Sequence, residues 1–415
     1  MRHEGMTYEM DGAGTVRLGG YFDHIGTALR DKRKRASFAM YGFGILGNAE
    51  RKSAEPLAAL ACGDPELADP MHQRLLHFLA DAKWDDQRVR GMAASYALEA
   101  MSAREPVTTW IFDETGFLKQ GTHSVGVQRQ YTGSAGKIAN CQIGVSLTVA
   151  TATEHLPIDF ELYLPQSWTD DASKRREGHI PDEVPFQTKL SLALGMIRRA
   201  KQAGVPGDTL LVDSAYGDSN DFRDEVRSLG FDYAVGVHST TNVLLLRDND
   251  KHRSGPRRLM SVEDLGIWLG PSAYRRITWR GGTKNKLYSR FCLRRVKIAH
   301  DDGTDLAKRE PLWLLIEWPK GEPRPTKFWL TTLPKRMSKK RLVRNVKERW
   351  RTERAYEDLK GELGLDHFEG RSFRGWHHHV SVVLCCYAFV VAERVRAFPP
   401  SQGRQEEHRP KQLAA

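Results

Sequence analysis

Apolar residues recur at helical spacing in the first quarter of the chain and at strand spacing through most of the middle. From about residue 17 to 103 the periodicity is helical, and Asp85 is a suitable N-cap for a helix running to Met101. The strands predicted next lie near 107–112, 124–131, 140–151, 209–212 and 231–237, with helices over 186–203 and 218–229. Three successive strands followed by strand–helix alternation predict an α/β core with a mixed sheet.

A β-rich segment separates this core from two final helices. Residues 238–334 favour strands and contain five tryptophans, Trp268, Trp279, Trp313, Trp318 and Trp329. We expect most of them to pack between strands. The stretch Lys340–Leu363 lacks proline and is rich in helix formers, and a last helix is predicted over about 374–397.

Two aspartates follow predicted strands directly. Asp113 closes the run V-T-T-W-I-F and precedes turn-compatible residues, and Asp213 closes T-L-L-V and precedes S-A-Y-G. Carboxylates at the carboxyl ends of neighbouring strands point into one crevice of an α/β sheet, so these two can meet at one site. Alternatively, each could simply begin a turn, a common role of aspartate.

A third acid, Glu353, lies on the predicted helix Lys340–Leu363. At about 100° per residue, Val346, Trp350, Tyr356 and Leu363 share its side of the wheel. On the outward half fall Glu348, Arg351, Asp358 and Glu362. Glu353 is therefore predicted to face inward, where a carboxylate needs a partner or a metal ion. Arg349, one turn earlier, could pair with it structurally, and Glu357 is a competitor for its role.

Arg349, Glu353 and Lys360 stand at the intervals of a Y-x2-R-x3-E-x6-K signature, with Val346 in place of the tyrosine. In this signature, and in the stretches 110–133 and 364–379, the chain resembles the DDE transposases of bacterial insertion sequences. The similarity covers about residues 17–397.

This resemblance implies a fold, a reaction and a cofactor. The fold is a ribonuclease-H-like (retroviral-integrase-like) mixed-sheet core with a β-rich insertion and an α-helical N-terminal domain. Asp113, Asp213 and Glu353 become the catalytic acids that hold two Mg²⁺ ions, for which Mn²⁺ can substitute. The implied protein binds the terminal inverted repeats of double-stranded DNA, cleaves phosphodiester bonds and joins 3′-hydroxyl ends to target DNA. It acts as a homodimer in a synaptic complex.

The charge balance suits a DNA partner. The chain has 63 basic and 52 acidic residues, a net charge of +11, and its basic residues are clustered. A single cluster is often only a solvated face, but the one over 335–344 leads directly into the Glu353 helix. The predicted DNA-contacting residues are Arg349, Lys360, Lys339, Lys340, Arg341 and Arg344. One of the five tryptophans of the β-rich segment could also stack on a displaced DNA base.

Cysteines and histidines indicate no further metal site. The five cysteines are odd in number and lack metal-ligand spacing, and the consecutive histidines 377–379 point in different directions on a helix. No signal peptide is apparent, and the most apolar stretch, Val380–Ala392, is too short to span a bilayer. We expect a cytoplasmic, nucleoid-associated bacterial protein without membrane contact.

Six segments follow from these patterns. They are a disordered N-terminus (1–16), an α-helical DNA-binding domain (17–103), the first part of the catalytic core (104–237), a β-rich insertion (238–334), the C-terminal core helices (335–397) and a disordered tail (398–415). Three other functions stay open. The chain could be a metal-dependent nuclease of the same fold, a catalytically silent DNA-binding regulator or, least favoured, a ribonuclease acting on RNA–DNA hybrids.

Overall fold

The computed structural model describes residues 12–62, 68–246, 259–281, 286–299, 306, 309–333 and 337–397. The predicted disordered segments 1–11 and 398–415 lie outside these residues. Residues 12–16 belong to the first helix, so the prediction of disorder is wrong for them.

Five helices make up the first part of the described chain. They are α1 (Gly12–Gly26), α2 (Lys32–Leu46), α3 (Ala54–Ala61), α4 (Ala68–Leu76) and α5 (Asp86–Arg104). Asp85 caps α5 as predicted, since its carboxylate accepts a hydrogen bond from the Arg88 N–H at 2.9 Å. The Tyr21 hydroxyl of α1 donates to the Cys385 carbonyl at 2.7 Å, in the buried last helix α14 (Phe373–Ala397). These N-terminal helices therefore share one hydrophobic core with the end of the chain.

One mixed sheet runs through the molecule. Its strands are β1 (Thr109–Leu118), β2 (Gln128–Thr132), β3 (Lys137–Ala150), β4 (His155–Tyr163), β5 (Thr209–Val212), β6 (Asp232–Val237), β7 (Asn242–Leu245), β8 (Leu259–Ser261), β9 (Arg275–Gly281), β10 (Lys286–Ile298), β11 (Leu312–Glu317) and β12 (Lys327–Thr331). Antiparallel β4, β3 and β1 are followed by β5 and β6, which run parallel to β1. This mixed α/β arrangement is consistent with a ribonuclease-H-like nuclease fold, as predicted.

Strand β1 is longer than its sequence suggests. It continues through the turn-compatible residues Glu114, Thr115 and Gly116, which pair with Val145, Gly144 and Ile143 of β3. Asp113 therefore lies within the strand, not at its end as expected. Pairing with β3 overrides the local turn propensity of these residues. A glycine fits this position of β1, because a Cβ added at Gly116 would lie 2.0 Å from Thr132 Oγ1.

The β-rich segment after β6 continues the core sheet. Strand β12 pairs antiparallel with β6, and β11, β10, β7 and β8 follow outwards. Strand β4, which sequence periodicity did not indicate, pairs with β3. The second and third candidate acids are thus separated in sequence by strands that widen the same sheet.

The remaining helices cover the two faces of the sheet. They are α6 (Gln166–Thr169), α7 (Ala172–Glu177), α8 (Lys189–Gln202), α9 (Ser214–Gly217), α10 (Asn220–Ser228), α11 (Val262–Trp268), α12 (Lys339–Val346) and α13 (Trp350–Gly361). A 3₁₀ turn, Lys347–Arg349, separates α12 from α13, so the single helix predicted over Lys340–Leu363 is broken.

Candidate active site

Asp113 and Asp213 are brought side by side by the parallel pairing of β1 and β5. In this pairing, Trp110 lies opposite Leu210 and Ile111 lies opposite Leu211. Continuing the same register for two more residues places Asp113 beside Asp213. Neighbouring strands lie about 4.8 Å apart. Asp213 comes directly after β5 and caps the short helix α9, its Oδ1 accepting from the Ala215 N–H at 3.0 Å.

Arg349 connects the third acid to this pair. Its Nη1 donates to Asp113 Oδ2 and its Nη2 donates to Glu353 Oε1. The Asp113 side chain is only 8% exposed, whereas that of Arg349 is 34% exposed. One guanidinium, at the junction of α12 and α13, thus holds carboxylates from β1 and α13 close to each other.

Glu353 reaches the site from the flank of α13, and the prediction that it faces inward is wrong. Its side chain is 53% exposed, while Arg351, predicted to face outward, is buried and donates to the Ala152 carbonyl at 2.6 Å. Each residue of the 3₁₀ turn before α13 advances by about 120°, where an α-helix advances by about 100°. The side chains of α13 therefore point in other directions, relative to those of α12, than one continuous helix would give. The face of α13 that packs inward is formed by Arg351, Thr352, Ala355, Tyr356 and Leu359.

A buried hydrogen bond fixes α13 on the sheet beside Asp113. The Tyr356 hydroxyl lies 2.6 Å from Ser146 Oγ, and Ser146 is the β3 partner of Asp113 in the ladder. This bond holds the helix that carries Glu353 over the strand that carries Asp113.

The two aspartates of this site have raised pKa values. Burial, the largest cause, raises the pKa of Asp113 to about 7; Arg349 opposes this shift and Asp213 adds to it. Burial also raises the pKa of Asp213, again opposed by Arg349, with Glu114 adding to the increase. The site therefore concentrates negative charge that its single arginine only partly compensates, an arrangement common at functional sites.

Lys360 lies on α13 two turns after Glu353 and is held by β1. Its Nζ donates to Thr115 Oγ1 at 2.8 Å and to the Gly116 carbonyl at 2.7 Å. Burial lowers its pKa. It contacts the strand of Asp113, not Glu353 itself.

The basic residues of α12 form an outward face next to the acids. Lys339, Lys340 and Arg341 are exposed and Arg344 is half-buried, while the opposite side of the helix packs inward through Leu342, Val343 and Val346. The Ser338 hydroxyl accepts a hydrogen bond from the Arg341 N–H at 3.2 Å and caps the helix. This amphipathic helix presents positive charge directly before the 3₁₀ turn that carries Arg349.

Glu357, the competitor for the third acid, lies elsewhere. Its side chain is 68% exposed and pairs with Arg354 at 3.1 Å.

Among the tryptophans of the β-rich segment, Trp318 is buried and Trp268 is 60% exposed. Trp279 and Trp329 each have Lys347 Nζ 4.9 Å from the ring centre.

Glu114 was not singled out from the sequence, yet it belongs to the site. Its two carboxylate oxygens contact Lys189 Nζ at 2.8 Å and the Tyr216 hydroxyl at 3.1 Å. The only signal for it was its position directly after Asp113. In sequence it resembled the start of a turn, because the extension of β1 could not be foreseen.

The donor set at Asp113, Asp213 and Glu353 fits a hard divalent cation. Carboxylate oxygens are the ligands that Mg²⁺ prefers. A cation would favour the charged forms of Asp113 and Asp213, whose pKa values are raised mainly by burial and further by nearby carboxylates. Within the described residues, no three acidic, histidine or cysteine side chains are yet close enough to enclose an ion. Arg349 lies between Asp113 and Glu353 and contacts both carboxylates.

The three consecutive histidines make separate contacts. His377 Nε2 lies 3.2 Å from Glu161 Oε2, His378 Nδ1 lies 2.8 Å from the Leu79 carbonyl, and His379 Nε2 lies 3.1 Å from the Gly364 carbonyl. Each ring therefore takes part in packing α14 against a different neighbour, as the helical geometry indicated.

Sequence comparison now identifies the family. The profile of the DDE superfamily endonucleases matches residues 22–286, about two thirds of the chain. The chain belongs to the DDE superfamily of endonucleases. The profile of the transposase DDE domain matches residues 187–389, which include Asp213 and Glu353. DDE nucleases generally depend on divalent metal ions, in agreement with the donor set described above.

A relative of this DDE endonuclease is a probable transposase for insertion sequence element IS701 from Microchaete diplosiphon. The two are 27% identical over 217 residues, which are 52% of this chain and 52% of the relative. The chain thus matches about half the length of this curated relative. The resemblance to insertion-sequence DDE transposases is confirmed. Among the described residues, no helix is both long and apolar enough to cross a membrane.

Proposed function

We propose that this DDE endonuclease is the transposase of an insertion sequence. It binds the terminal inverted repeats, cleaves phosphodiester bonds at the ends of the element and joins the 3′-hydroxyl ends to target DNA. The observation that carries this proposal is the gathering of Asp113, Asp213 and Glu353, from β1, the end of β5 and α13, around one arginine.

Hydrolysis and strand transfer use the same acids. In the first step a water oxygen forms a bond to phosphorus and the bond to the 3′ oxygen breaks, which leaves a 3′-hydroxyl and a 5′-phosphate. In the second step that 3′ oxygen attacks a target phosphorus and a target 3′ oxygen leaves with a proton. Two Mg²⁺ ions, when bound, supply activation of the attacking oxygen and stabilisation of the leaving oxygen. Asp113, Asp213 and Glu353 are the residues that would hold them.

Arg349 has a different role in each state of this cycle. In the free chain its guanidinium neutralises Asp113 and Glu353. Its planar fork also matches two phosphate oxygens, so it can turn to the DNA backbone when cations replace it at the acids. Lys360 of α13 supports the same region through its contact with β1, and the basic face of α12 binds the neighbouring phosphates.

Two element ends must be processed together, so we include a homodimer on double-stranded DNA in this proposal. The N-terminal helices α1–α5 contribute recognition of the repeats. Their shared core with α14 supports a fixed orientation of such contacts relative to the acids.

Cleavage of a labelled duplex that carries the flanking inverted repeat tests the proposal. We expect Mg²⁺-dependent cutting at the repeat boundary, none with chelator, and joining of the 3′-hydroxyl end to added target DNA. A duplex with a scrambled repeat is the matched substrate control. Equal cutting of both duplexes would indicate a nuclease without end recognition, and repeat binding without cutting would indicate a DNA-binding regulator.

A further inference from the structure

Glu114, Lys189 and Tyr216 form a cluster on the other side of β1 from Asp113. Because side chains alternate along a strand, Asp113 faces α13 whereas Glu114 faces α8. Lys189 of α8 contacts one carboxylate oxygen of Glu114 at 2.8 Å, and the Tyr216 hydroxyl donates to the other at 3.1 Å. Both oxygens of Glu114 are thereby engaged.

Tyr216 belongs to the turn that Asp213 itself begins. Helix α9 starts at the residue after Asp213; the Asp213 carboxylate accepts the Ala215 N–H at 3.0 Å, and its carbonyl accepts the Gly217 N–H at 2.8 Å. The Tyr216 ring is 1% exposed and meets Phe112 of β1 edge-on at 5.1 Å. The position of the Asp213 carboxylate therefore depends on a turn whose buried side is fastened to β1.

We propose that Glu114 and Tyr216 are positioning residues for Asp213. Their hydrogen bond ties the α9 turn to β1 next to Asp113, so the two aspartates keep a fixed separation across the β1–β5 junction. Lys189 neutralises Glu114, which limits the repulsion between this acid and Asp213. This inference rests on the proposed function, because it gives Asp213 a metal-holding role.

The first test compares Tyr216→Phe, which removes only the hydroxyl, with Tyr274→Phe. The Tyr274 hydroxyl is also buried and donates to the Gly266 carbonyl at 3.0 Å, but it lies in the β-rich segment, directly before β9. Loss of a residue that orients a metal ligand typically costs about 10–100-fold in metal affinity or activity. We expect Tyr216→Phe to slow single-turnover cleavage by roughly 10-fold or more, with an unchanged DNA dissociation constant. Tyr274→Phe should leave both unchanged.

A second readout does not depend on activity. Titration of the DNA-free chain with Mn²⁺ in a calorimeter should show weaker binding in Tyr216→Phe and in Glu114→Ala, with near-native affinity in Tyr274→Phe. Glu114→Gln should keep more affinity than Glu114→Ala, because its amide oxygen can still accept from Tyr216. Combining Tyr216→Phe with Glu114→Ala should cost no more than Glu114→Ala alone, since Glu114→Ala already removes the bond to Tyr216.

Native cleavage rates and native Mn²⁺ affinity in a folded Tyr216→Phe variant would overturn the inference. So would equal losses in Glu114→Gln and Glu114→Ala. The variant Asp213→Asn separates these results from failure of the proposed function. If Asp213→Asn still cleaves at the native rate, the metal-holding role of Asp213 is wrong; if it is inactive while Tyr216→Phe is native, only the positioning role is wrong.

Discussion

The guanidinium of Arg349 is hydrogen-bonded to the carboxylate of Asp113, a residue 236 positions earlier in the chain. The same guanidinium holds Glu353, one helical turn later. A cationic side chain of the protein thus lies between two of the acids that we propose as metal ligands. In the free chain this arrangement stabilises a cluster of carboxylates that would repel each other if left alone.

Replacing Arg349 with Ala should destabilise the metal-free chain. Asp113 is nearly buried, so loss of its charged partner leaves an unsatisfied carboxylate, at a cost of roughly 1–3 kcal/mol. Urea denaturation in the presence of chelator measures this change. Arg354→Ala is the matched control, because Arg354 is 56% exposed on the same helix. Equal stability of the two variants would show that the Arg349 contacts contribute little.

The Asp113 carboxyl should destabilise the metal-free chain increasingly as pH rises from about 4 to about 7. The pKa of folded Asp113 is raised to about 7, above the ordinary value of about 3.9. Its contribution is therefore fully present below pH 4 and is lost as pH rises through 7. In urea unfolding with chelator, Asp113→Asn should therefore gain stability relative to the native chain as pH rises over this range. Asp366→Asn, at a side chain 43% exposed, should retain the native slope.

Gly116 should not tolerate a side chain. An added Cβ would lie 2.0 Å from Thr132 Oγ1 and 2.7 Å from its Cβ, and overpacking of this kind typically costs about 1–3 kcal/mol. Gly133→Ala is the control, because no atom lies within 4 Å of a Cβ added there. Thermal unfolding should show a lower midpoint for Gly116→Ala alone. Because the Gly116 carbonyl also accepts from Lys360, cleavage should slow as well.

The bond between Tyr356 and Ser146 should be visible as coupling between them. Tyr356→Phe or Ser146→Ala leaves one buried hydroxyl partner unsatisfied and should cost roughly 1–2 kcal/mol each. The double variant should cost clearly less than the sum, since removing both partners leaves nothing unpaired. Urea unfolding of the four chains measures this coupling. Strict additivity would contradict a direct bond.

The basic face of α12 should set the salt dependence of DNA binding. Removing one side chain that neutralises a DNA phosphate reduces the slope of log affinity against log salt by about 1. Lys340→Ala combined with Arg341→Ala should therefore lower the slope by about 2. Arg198→Ala is the control, because Arg198 pairs with Glu225 on the α8 side of the sheet. An unchanged slope in the α12 variant would place the DNA elsewhere.

Sequence patterns predicted some parts of the site well. The strand before Asp213 was predicted at residues 209–212, where β5 lies, because a fully buried strand is a continuous apolar run bounded by turn residues. The convergence of Asp113 and Asp213 followed from the general geometry of α/β sheets, and the parallel register agrees with it.

Other parts depend on contacts that no local pattern encodes. The extension of β1 beyond Asp113 is imposed by pairing with β3, and it alone brings Glu114 into contact with Lys189 and Tyr216. The inward orientation predicted for Glu353 assumed one unbroken helix, whereas a 3₁₀ turn, Lys347–Arg349, interrupts this stretch rich in helix formers. Tertiary pairing and one altered turn thus account for what the sequence alone missed.

The central claim is that Asp113, Asp213 and Glu353 act together on DNA. It is tested most directly by Mg²⁺-dependent cleavage at the repeat boundary in Asp113→Asn, Asp213→Asn, Glu353→Gln and Glu357→Gln, with repeat binding measured in parallel. We predict that the first three variants bind the repeat and fail to cut, whereas Glu357→Gln cuts at the native rate. Native cleavage by Glu353→Gln, or loss of cleavage in Glu357→Gln alone, would contradict this assignment of the three acids.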